Sequence, residues 1–158
     1  MNTLATLLSI VIIGANFVNL KTTPPPTIED YAEQCGMTES EFILISSVTE
    51  AESDRSDSMS GRVLIALTIL NRVDSDIFPD TITEVLTQSG QFSTVVRRNG
   101  IYQSVTNRTE LSDQAVLEAY EWNQRGDDPN VLFFNCRGYN YGTPYDYVDG
   151  NYFMIYGE

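Results

Sequence analysis

The hydrophobic pattern of the chain predicts a helical domain built around two apolar segments. The first, residues 42–49, is followed directly by Glu50 and is apolar enough to pack against a core. The second, from about residue 59 to residue 73, is apolar almost all round, so we expect it to be the central buried helix. Thr81 is expected to cap a short helix, because its hydroxyl precedes another apolar pattern.

A glycine-containing turn between two β-prone runs predicts a hairpin. Asn99-Gly100 follows the run at residues 91–96 and precedes the run at residues 101–105. Asn-Gly is the pair that a tight hairpin turn favours, because both central positions of the turn need positive φ. We therefore expect two short strands in this part of the chain.

The last third of the chain predicts one helix followed by strands. Ser112 is expected to cap a helix that runs to about Arg125 and that Gly126 stops. Strand-like runs follow at residues 131–135 and 152–156. Together the segments predict an α+β fold that is mainly helical, with a small hairpin and sheet region.

The N-terminal segment predicts a targeting or anchoring element ahead of one folded domain. Residues 4–20 are mostly apolar, and their length lies near the lower limit for crossing a membrane. We expect residues 1–21 to be a signal peptide or a membrane anchor, although no Lys or Arg precedes the apolar stretch. Residues 22–27 would form a proline-rich linker, and residues 28–158 the domain. A buried helix is the alternative for the apolar stretch.

The composition excludes several kinds of site. The 158 residues contain no histidine, which rules out Ser-His-Asp and Cys-His catalysis and histidine-ligated zinc. A net charge of −13 argues against nucleic acid as a partner, because phosphate binding needs clustered Lys and Arg. The acidic residues are spread along the chain, which fits a soluble surface better than a calcium site. We expect no cofactor and no metal, and catalysis by carboxylates, hydroxyls, amides or tyrosines.

Glu50 is the leading candidate for a catalytic acid. A carboxyl at the end of an apolar segment lies between the core and solvent, and partial burial disfavours its charged form. The pKa of Glu50 is therefore expected to rise toward the range in which it donates a proton, as the general acid of a glycosidase does. The alternative is an ordinary exposed glutamate near a helix end.

Four short blocks of sequence carry a resemblance to a known family. The first block, Glu50-Ala51 with the residues that follow, matches the family element E-A-R-G-E. The second, Gly61-Arg62-Val63 through Leu70-Asn71-Arg72-Val73, matches G-Q-V-A-V…L-N-R-V. The third and fourth, residues 75–81 and residues 91–95, match S-P-x-F-P-x-T and Q-F-S-P-V. Asp128-Pro129 and Phe133-Phe134-Asn135 close the pattern. Together they resemble the SleB-type cell wall hydrolase family, which includes the spore cortex-lytic enzymes, over roughly residues 43–156.

This resemblance implies a lysozyme-like α+β fold that cleaves peptidoglycan between MurNAc and GlcNAc, with the lytic transglycosylase outcome of the cortex-lytic members. The family's catalytic glutamate falls on Glu50, whose carboxyl would act first as acid and then as base. Amides, hydroxyls and tyrosine rings suit a glycan, and the expected substrate-binding residues are Gln91, Ser93, Tyr102, Asn135 and Tyr152. Half-buried packing is the alternative role for each tyrosine.

The chain departs from the family elements at several positions. Glu52 stands in place of the arginine of E-A-R-G-E, Ser53 in place of its glycine, and Asp54 in place of its second glutamate. Tyr152 stands where the family often has a histidine. These departures leave a non-catalytic glycan-binding or envelope-associated protein as an alternative function.

A glycoside hydrolase is the other alternative, and it requires a second carboxylate. Asp54 and Asp57 are the candidates, with solvated loop acids as the other explanation of both. The separation from Glu50 would be about 5–5.5 Å for retention and about 6.5–9.5 Å for inversion. Cys35 and Cys136 allow a disulfide if the domain is exported. We expect a monomer that binds peptidoglycan strands, is secreted or attached to the cell envelope, and is encoded by a bacterium or a phage.

Overall fold

The computed structural model of the protein describes residues 24–53 and 58–156, which form five helices and five strands. The helices are α1 (Ile28–Gln34), α2 (Glu39–Glu52), α3 (Met59–Val73), α4 (Ile82–Thr87) and α5 (Glu110–Arg125). The strands are β1 (Val95–Arg98), β2 (Ile101–Ser104), β3 (Val131–Asn135), β4 (Thr143–Val148) and β5 (Asn151–Ile155). The prediction of a mainly helical α+β fold is confirmed.

Helix α3 is the centre of the core, as its uniform hydrophobicity predicts. The hydroxyl of Ser58 caps it by accepting a hydrogen bond from the backbone N–H of Gly61 at 3.3 Å. Ile65, Leu67 and Ile69 are fully buried, because α2, α4, α5 and β3 pack around the helix. The predicted bounds of this helix and the predicted cap of α4 are confirmed.

Helix α2 carries the carboxylates that concern function. It begins with a capping box, in which Thr38 and Glu41 each accept a hydrogen bond from the backbone N–H of the other, at 3.3 and 3.0 Å. Its fully buried apolar residues are Phe42, Ile45 and Val48. The helix continues two residues beyond Glu50 and ends at Glu52.

Strands β1 and β2 form the predicted hairpin, although the first strand begins later than predicted. Asn99 and Gly100 make the turn, with φ angles of 51° and 84°. The prediction of a strand over residues 91–94 is wrong, since these residues lie in turns and irregular structure. Phe92 is 6% exposed, so this segment packs its ring into the core instead of pairing with β2.

The N-cap of helix α5 lies three residues before the predicted one. The prediction that Ser112 caps it is wrong, because Thr109 is the N-cap residue. The Thr109 hydroxyl accepts from the N–H of Ser112 at 3.2 Å, and the Ser112 hydroxyl accepts from the N–H of Thr109 at 2.8 Å. Gly126 ends the helix in the left-handed conformation, with φ of 67°, as predicted.

The tail of the domain forms a three-stranded antiparallel sheet in the order β3-β5-β4. The predicted strands at residues 131–135 and 152–156 correspond to β3 and, shifted by one residue, to β5. The sequence analysis did not predict β4 or α1. Asn135 and Tyr152 are opposite each other on β3 and β5, so the sheet brings two predicted site residues into register.

The two cysteines are not bonded to each other. The thiol of Cys35 is buried on α1's side of the core, whereas Cys136 is exposed after β3. Burial raises the pKa of Cys35 to about 12. The disulfide that the sequence allowed is therefore absent.

The expected signal peptide or anchor at residues 1–21 lies outside the described residues and stays a prediction. Among the helices within residues 24–53 and 58–156, none is long and apolar enough to cross a membrane.

Candidate active site

Glu50 is held tightly by α3 and by the residue that caps α5. Its side chain is 11% exposed. Arg62 donates from Nη2 to Glu50 Oε1 at 2.8 Å and from Nε to Glu50 Oε2 at 3.0 Å, which makes a two-bond ion pair. The hydroxyl of Thr109 donates to Glu50 Oε2 at 2.7 Å. Both carboxylate oxygens are therefore occupied by donors from the protein.

The expectation that partial burial raises the pKa of Glu50 is wrong. The hydrogen bonds from Arg62 hold the pKa of Glu50 below its ordinary value, and the Thr109 hydrogen bond and the Arg62 charge add to this lowering. Burial opposes these effects without overcoming them. Near neutral pH the carboxyl is thus kept in its charged form, whereas a proton donor must be protonated.

Glu52 lies two residues further along α2 in different surroundings. Each residue of a helix turns by about 100°, so the two carboxylates leave α2 about 200° apart. The Thr94 hydroxyl donates to Glu52 Oε1 at 2.9 Å. Burial raises the pKa of Glu52, and the Thr94 hydrogen bond partly opposes the rise. In the sequence Glu52 stands out only as a departure from E-A-R-G-E, which gives no sign that it is a partly buried carboxyl.

Glu52 lines a cavity of about 380 Å³, here called the Glu52 cavity, between the end of α2, the segment before β1 and the end of β3. Its other polar lining residues are Arg72, Gln91, Ser93, Asn135, Arg137 and Asn151. Phe92 and Phe134 add aromatic surface. Glu50 is not among the lining residues. A mixed polar and aromatic wall of this size suits a sugar ring with its amide and hydroxyl substituents.

Three of the five predicted substrate-binding residues, Gln91, Ser93 and Asn135, meet in the Glu52 cavity. The Gln91 side-chain oxygen accepts from Arg72 Nη1 at 2.9 Å. The Asn135 amide donates to the carbonyl of Gly138 at 3.1 Å. Ser93 is exposed, and its hydroxyl makes no hydrogen bond within residues 24–53 and 58–156. The Ser93 hydroxyl is therefore available to a ligand.

The other two predicted residues, Tyr102 and Tyr152, do not line the Glu52 cavity. Tyr102 lies on β2 beside a different cavity of about 300 Å³, with the guanidinium of Arg97 5.4 Å from its ring centre. Tyr152 is paired with Asn135 in the sheet, but its ring packs against Tyr147 at a centroid distance of 4.5 Å. Their roles in substrate binding stay predictions.

Arg72 joins the core to the wall of the Glu52 cavity. Its Nε donates to the backbone carbonyl of Leu132 at 2.8 Å, and its guanidinium lies 4.8 Å from the ring centre of Phe78 and 5.4 Å from that of Phe92. Burial lowers the pKa of Arg72 to about 10, which leaves it charged at neutral pH. Arg72 therefore ties α3 to β3 and to the segment before β1.

Asp54 and Asp57, the candidates for a second catalytic carboxylate, lie outside the described residues. Their role in a hydrolase reaction is therefore untested. Within the described ranges, no group of three Cys, Asp or Glu side chains is placed to hold a metal ion.

A larger cavity, of about 620 Å³, lies at the opposite end of α3 from Glu50. Two of its three carboxylates already serve the fold, since Asp128 accepts from the amide of Asn71 at 2.9 Å and Asp74 accepts from the amide of Asn123 at 2.8 Å. These bonds tie α3 to α5 and to the loop before β3. This cavity is larger than the Glu52 cavity, but the predicted site residues lie elsewhere.

The catalytic domain of the Bacillus cereus SleB protein has a similar structure to this chain. The two are 25% identical with a TM-score of 0.58, and the match covers 74% of this chain and 91% of that domain. The catalytic domain of the germination-specific lytic transglycosylase SleB from Bacillus anthracis is 24% identical with a TM-score of 0.58, covering 75% of this chain and 97% of that one. These matches bear out the predicted lysozyme-like α+β fold.

The family model for cell wall hydrolases matches residues 56–147, which is more than half of the chain. The matched region begins after Glu50 and Glu52, so the match assigns a role to neither. No curated protein matches the sequence. The predicted resemblance is confirmed, and the chain belongs to the cell wall hydrolase family.

Proposed function

We propose that this protein cleaves the glycan strands of peptidoglycan between MurNAc and GlcNAc. Membership of the cell wall hydrolase family supports the substrate class. The observation that carries the proposal is the Glu52 cavity, where a carboxyl lies beside the amides of Gln91 and Asn135 and the hydroxyl of Ser93. Amides and hydroxyls suit N-acetyl groups and ring hydroxyls, and a carboxyl suits the glycosidic oxygen.

The proposed reaction is that of a lytic transglycosylase, which needs one carboxylic acid and no activated water. The acid donates its proton to the glycosidic oxygen while an oxocarbenium-like centre develops at C1 of MurNAc. The resulting carboxylate then removes the proton of the MurNAc 6-hydroxyl, whose oxygen closes on C1 to give a 1,6-anhydro sugar. One carboxyl therefore acts first as acid and then as base.

The family resemblance gives this role to Glu50, and that assignment stays a prediction. Arg62 and Thr109 occupy both oxygens of Glu50, so it can donate a proton only after these contacts open and it has been protonated. Glu52 is the second carboxyl at this end of α2.

Mass spectrometry of muropeptides released from purified peptidoglycan by the full chain tests the proposed function. Products that end in 1,6-anhydro-MurNAc would support it. Products with a free reducing end would replace it with hydrolysis, which requires a second carboxylate. No release from either vegetative wall or spore cortex would contradict an enzymatic function.

A non-catalytic glycan-binding protein is the second candidate function, and the ion pair between Glu50 and Arg62 is the observation that favours it. A glutamate kept charged by a buried arginine is suited to holding helices together and poorly suited to donating a proton. This candidate keeps the Glu52 cavity as a binding site. Co-sedimentation with insoluble peptidoglycan without release of muropeptides would support it, and release would exclude it.

Either function requires the protein to reach the cell envelope. We propose that residues 1–21 direct it there as a signal peptide or an anchor. Fractionation of the source cells, with the mass of the mature chain measured, tests this proposal. A full-length chain confined to the cytoplasm would contradict it.

A further inference from the structure

A further cavity, of about 290 Å³, adjoins the Glu52 cavity and is here called the Tyr141 cavity. Gly90, Phe133 and Tyr141 line it without lining the Glu52 cavity. The residues that line both cavities are Arg72, Gln91, Phe134 and Asn135. Because the two cavities share these residues, an extended molecule bound in one of them passes directly beside the other.

We propose that the Tyr141 cavity binds the sugar next to the one held in the Glu52 cavity, with the ring of Tyr141 stacked on the face of that sugar. The ligand is thus a stretch of glycan strand at least two sugars long, and not its stem peptide. This inference rests on the proposed function and extends the same site by one sugar position.

Tyr141 presents an aromatic surface that the fold does not use. It lies in the segment between β3 and β4 and is 65% exposed. Its ring is stacked on that of Phe133, with the ring centroids 6.1 Å apart and the planes inclined by 30°. A tyrosine with so little of its surface buried contributes little to the core, and the rest of its ring is available to a ligand.

The backbone of this segment holds Tyr141 in place. The N–H of Tyr141 donates to the sulfur of Met154 at 3.5 Å, and Met154 is fully buried on β5. At the next residue, Gly142, a Cβ atom would overlap the backbone carbonyl oxygen of Ile155, so the chain lies directly against β5. An aromatic group that is already positioned loses little conformational entropy when it binds, which favours affinity.

A polar group of the shared wall complements this aromatic surface. Gln91 Oε1 accepts from Arg72 Nη1 at 2.9 Å, whereas Gln91 Nε2 makes no hydrogen bond within residues 24–53 and 58–156. This amide nitrogen is left to donate to the carbonyl of an N-acetyl group. A sugar ring has an apolar face of C–H bonds and a rim of polar groups, so an aromatic ring beside an amide suits both parts.

The charges of the cavity favour a neutral sugar over a stem peptide. Among the described residues that line the Tyr141 cavity, Arg72 is the one that carries a charge. It is 4% exposed and already donates to the carbonyl of Leu132 and to Gln91. The carboxylates of a stem peptide would therefore find no exposed cation on this wall, whereas a neutral sugar needs none.

The test measures binding of the full chain to glycan strands that have been freed of stem peptides and coupled to beads through their reducing ends. Dissociation constants are measured in the cold, where cleavage is slow, for the natural chain, Tyr141→Ala, Tyr141→Phe and Tyr145→Ala. Tyr145 on β4 is the matched control, because it is 41% exposed and lines neither cavity. Thermal unfolding followed by circular dichroism verifies that each variant is folded.

We expect Tyr141→Ala to weaken binding about 3–30-fold, because it removes the aromatic surface that covers the sugar. Tyr141→Phe replaces the ring and should recover most of that loss, since stacking needs the ring and not the hydroxyl. Tyr145→Ala should bind as the natural chain does.

Three results would overturn the inference. The first is an equal affinity of Tyr141→Ala and the natural chain. The second is a loss in Tyr141→Phe or Tyr145→Ala as large as that in Tyr141→Ala, which would exclude stacking on this one ring. The third is binding of the natural chain to intact peptidoglycan but not to the stem-free strands, which would make the stem peptide part of the ligand.

Release of muropeptides from intact peptidoglycan, measured on the same proteins, keeps the inference and the proposed function apart. Release together with any of the three results above would leave the enzymatic function standing without the second sugar position. Binding that depends on Tyr141, without release, would establish the sugar position in a protein that does not cleave. If the natural chain neither binds nor releases glycan, both are wrong.

Discussion

The two carboxylates at the end of α2 differ more than their separation of two residues would suggest. Glu50 faces α3 and α5, where Arg62 and Thr109 donate to both of its oxygens. Glu52 leaves the helix about 200° away and faces a cavity, with Thr94 as its donor. Burial acts on both, but the pKa of Glu50 is lowered by its hydrogen bonds from Arg62, whereas no cation among residues 24–53 and 58–156 pairs with Glu52, whose pKa burial raises.

This difference shows that the position of a carboxyl in a sequence motif does not determine its pKa. The apolar run before Glu50 correctly indicates burial, but burial alone does not predict which ionic form is favoured. The sign of the shift depends on whether a cation from another element reaches the same carboxyl, and Arg62 is that cation here.

The largest expected effect on stability comes from Glu50→Gln. The amide removes the carboxylate to which Arg62 donates two hydrogen bonds, and breaking a buried pair from one side costs about 3–5 kcal/mol. We expect Tm near neutral pH to fall by on the order of 10 °C, measured by circular dichroism. Adding Arg62→Gln should restore part of this loss, since the buried guanidinium is then removed together with the carboxylate that it binds.

The pH dependence of this effect has a definite sign. The folded-state pKa of Glu50 is lowered, so its stabilisation is present above the unfolded pKa of glutamate, about 4.3, and is lost as the pH falls through the folded pKa. The difference in Tm between the natural chain and Glu50→Gln should therefore shrink in acid. An equal Tm for the two proteins at neutral pH would show that the pair contributes nothing.

Two variants that each lose one hydroxyl, Ser93→Ala and Tyr102→Phe, test which of two cavities binds the substrate. Ser93 lines the Glu52 cavity, whereas Tyr102 lines a different one. Loss of one substrate hydrogen bond is worth about 0.5–1.5 kcal/mol, so Ser93→Ala should raise KM about 2–10-fold. Tyr102→Phe should change KM less, and a larger effect of Tyr102→Phe would move the binding site toward β2. Steady-state release of soluble muropeptides measures both.

Thr94→Val tests the difference between Glu50 and Glu52 by removing the hydroxyl that donates to Glu52. The Thr94 hydroxyl stabilises the charged carboxyl, so its removal should raise the pKa of Glu52 further. The pKa of Glu52, measured from its carboxyl carbon by nuclear magnetic resonance, should therefore be higher in Thr94→Val than in the natural chain. Thr106→Val is the matched control, since Thr106 lies outside the Glu52 cavity. A lower pKa of Glu52 in Thr94→Val would contradict this role of the Thr94 hydroxyl.

The smallest expected effect is a gain in stability from Glu52→Gln. The amide removes the cost of burying a charge, and its oxygen can still accept from Thr94. Because the folded pKa of Glu52 is raised, the natural chain loses stability as the pH rises from the unfolded pKa through the folded pKa. Calorimetry should show a higher Tm for Glu52→Gln at about pH 8 and no difference near about pH 3.5. A lower Tm at the higher pH would mean that Glu52 is stabilised by its surroundings.

Local signals predicted much of the fold. The uniform hydrophobicity of α3, the hydroxyl of Thr81 before α4 and the Asn99-Gly100 turn each act over a few residues, and each is confirmed. The cap of α5 was misplaced because Thr109 and Ser112 are both capping residues and form one reciprocal box. Strand β4 was missed because its burial is slight, so no alternating apolar pattern marks it.

The candidate site was harder to predict because its contacts join distant parts of the chain. The meeting of Gln91, Ser93 and Asn135 follows from the resemblance, and the structure brings these three together. The pair between Glu50 and Arg62 depends on how α2 packs against α3, which the sequence pattern does not reveal. Arg62, the fourth residue of the apolar helix α3, was nevertheless a signal in the sequence, because a charge buried there needs a partner.

The most direct test of this account is a titration of the Glu50 and Glu52 carboxyl carbons by nuclear magnetic resonance in the folded protein. The spectrum of Glu52→Gln identifies the Glu52 signal, and that of the Glu50→Gln, Arg62→Gln double variant identifies the Glu50 signal. The account predicts that Glu52 titrates above the ordinary range of a glutamate and that Glu50 titrates below it. A pKa of Glu50 above that of Glu52 would contradict the account.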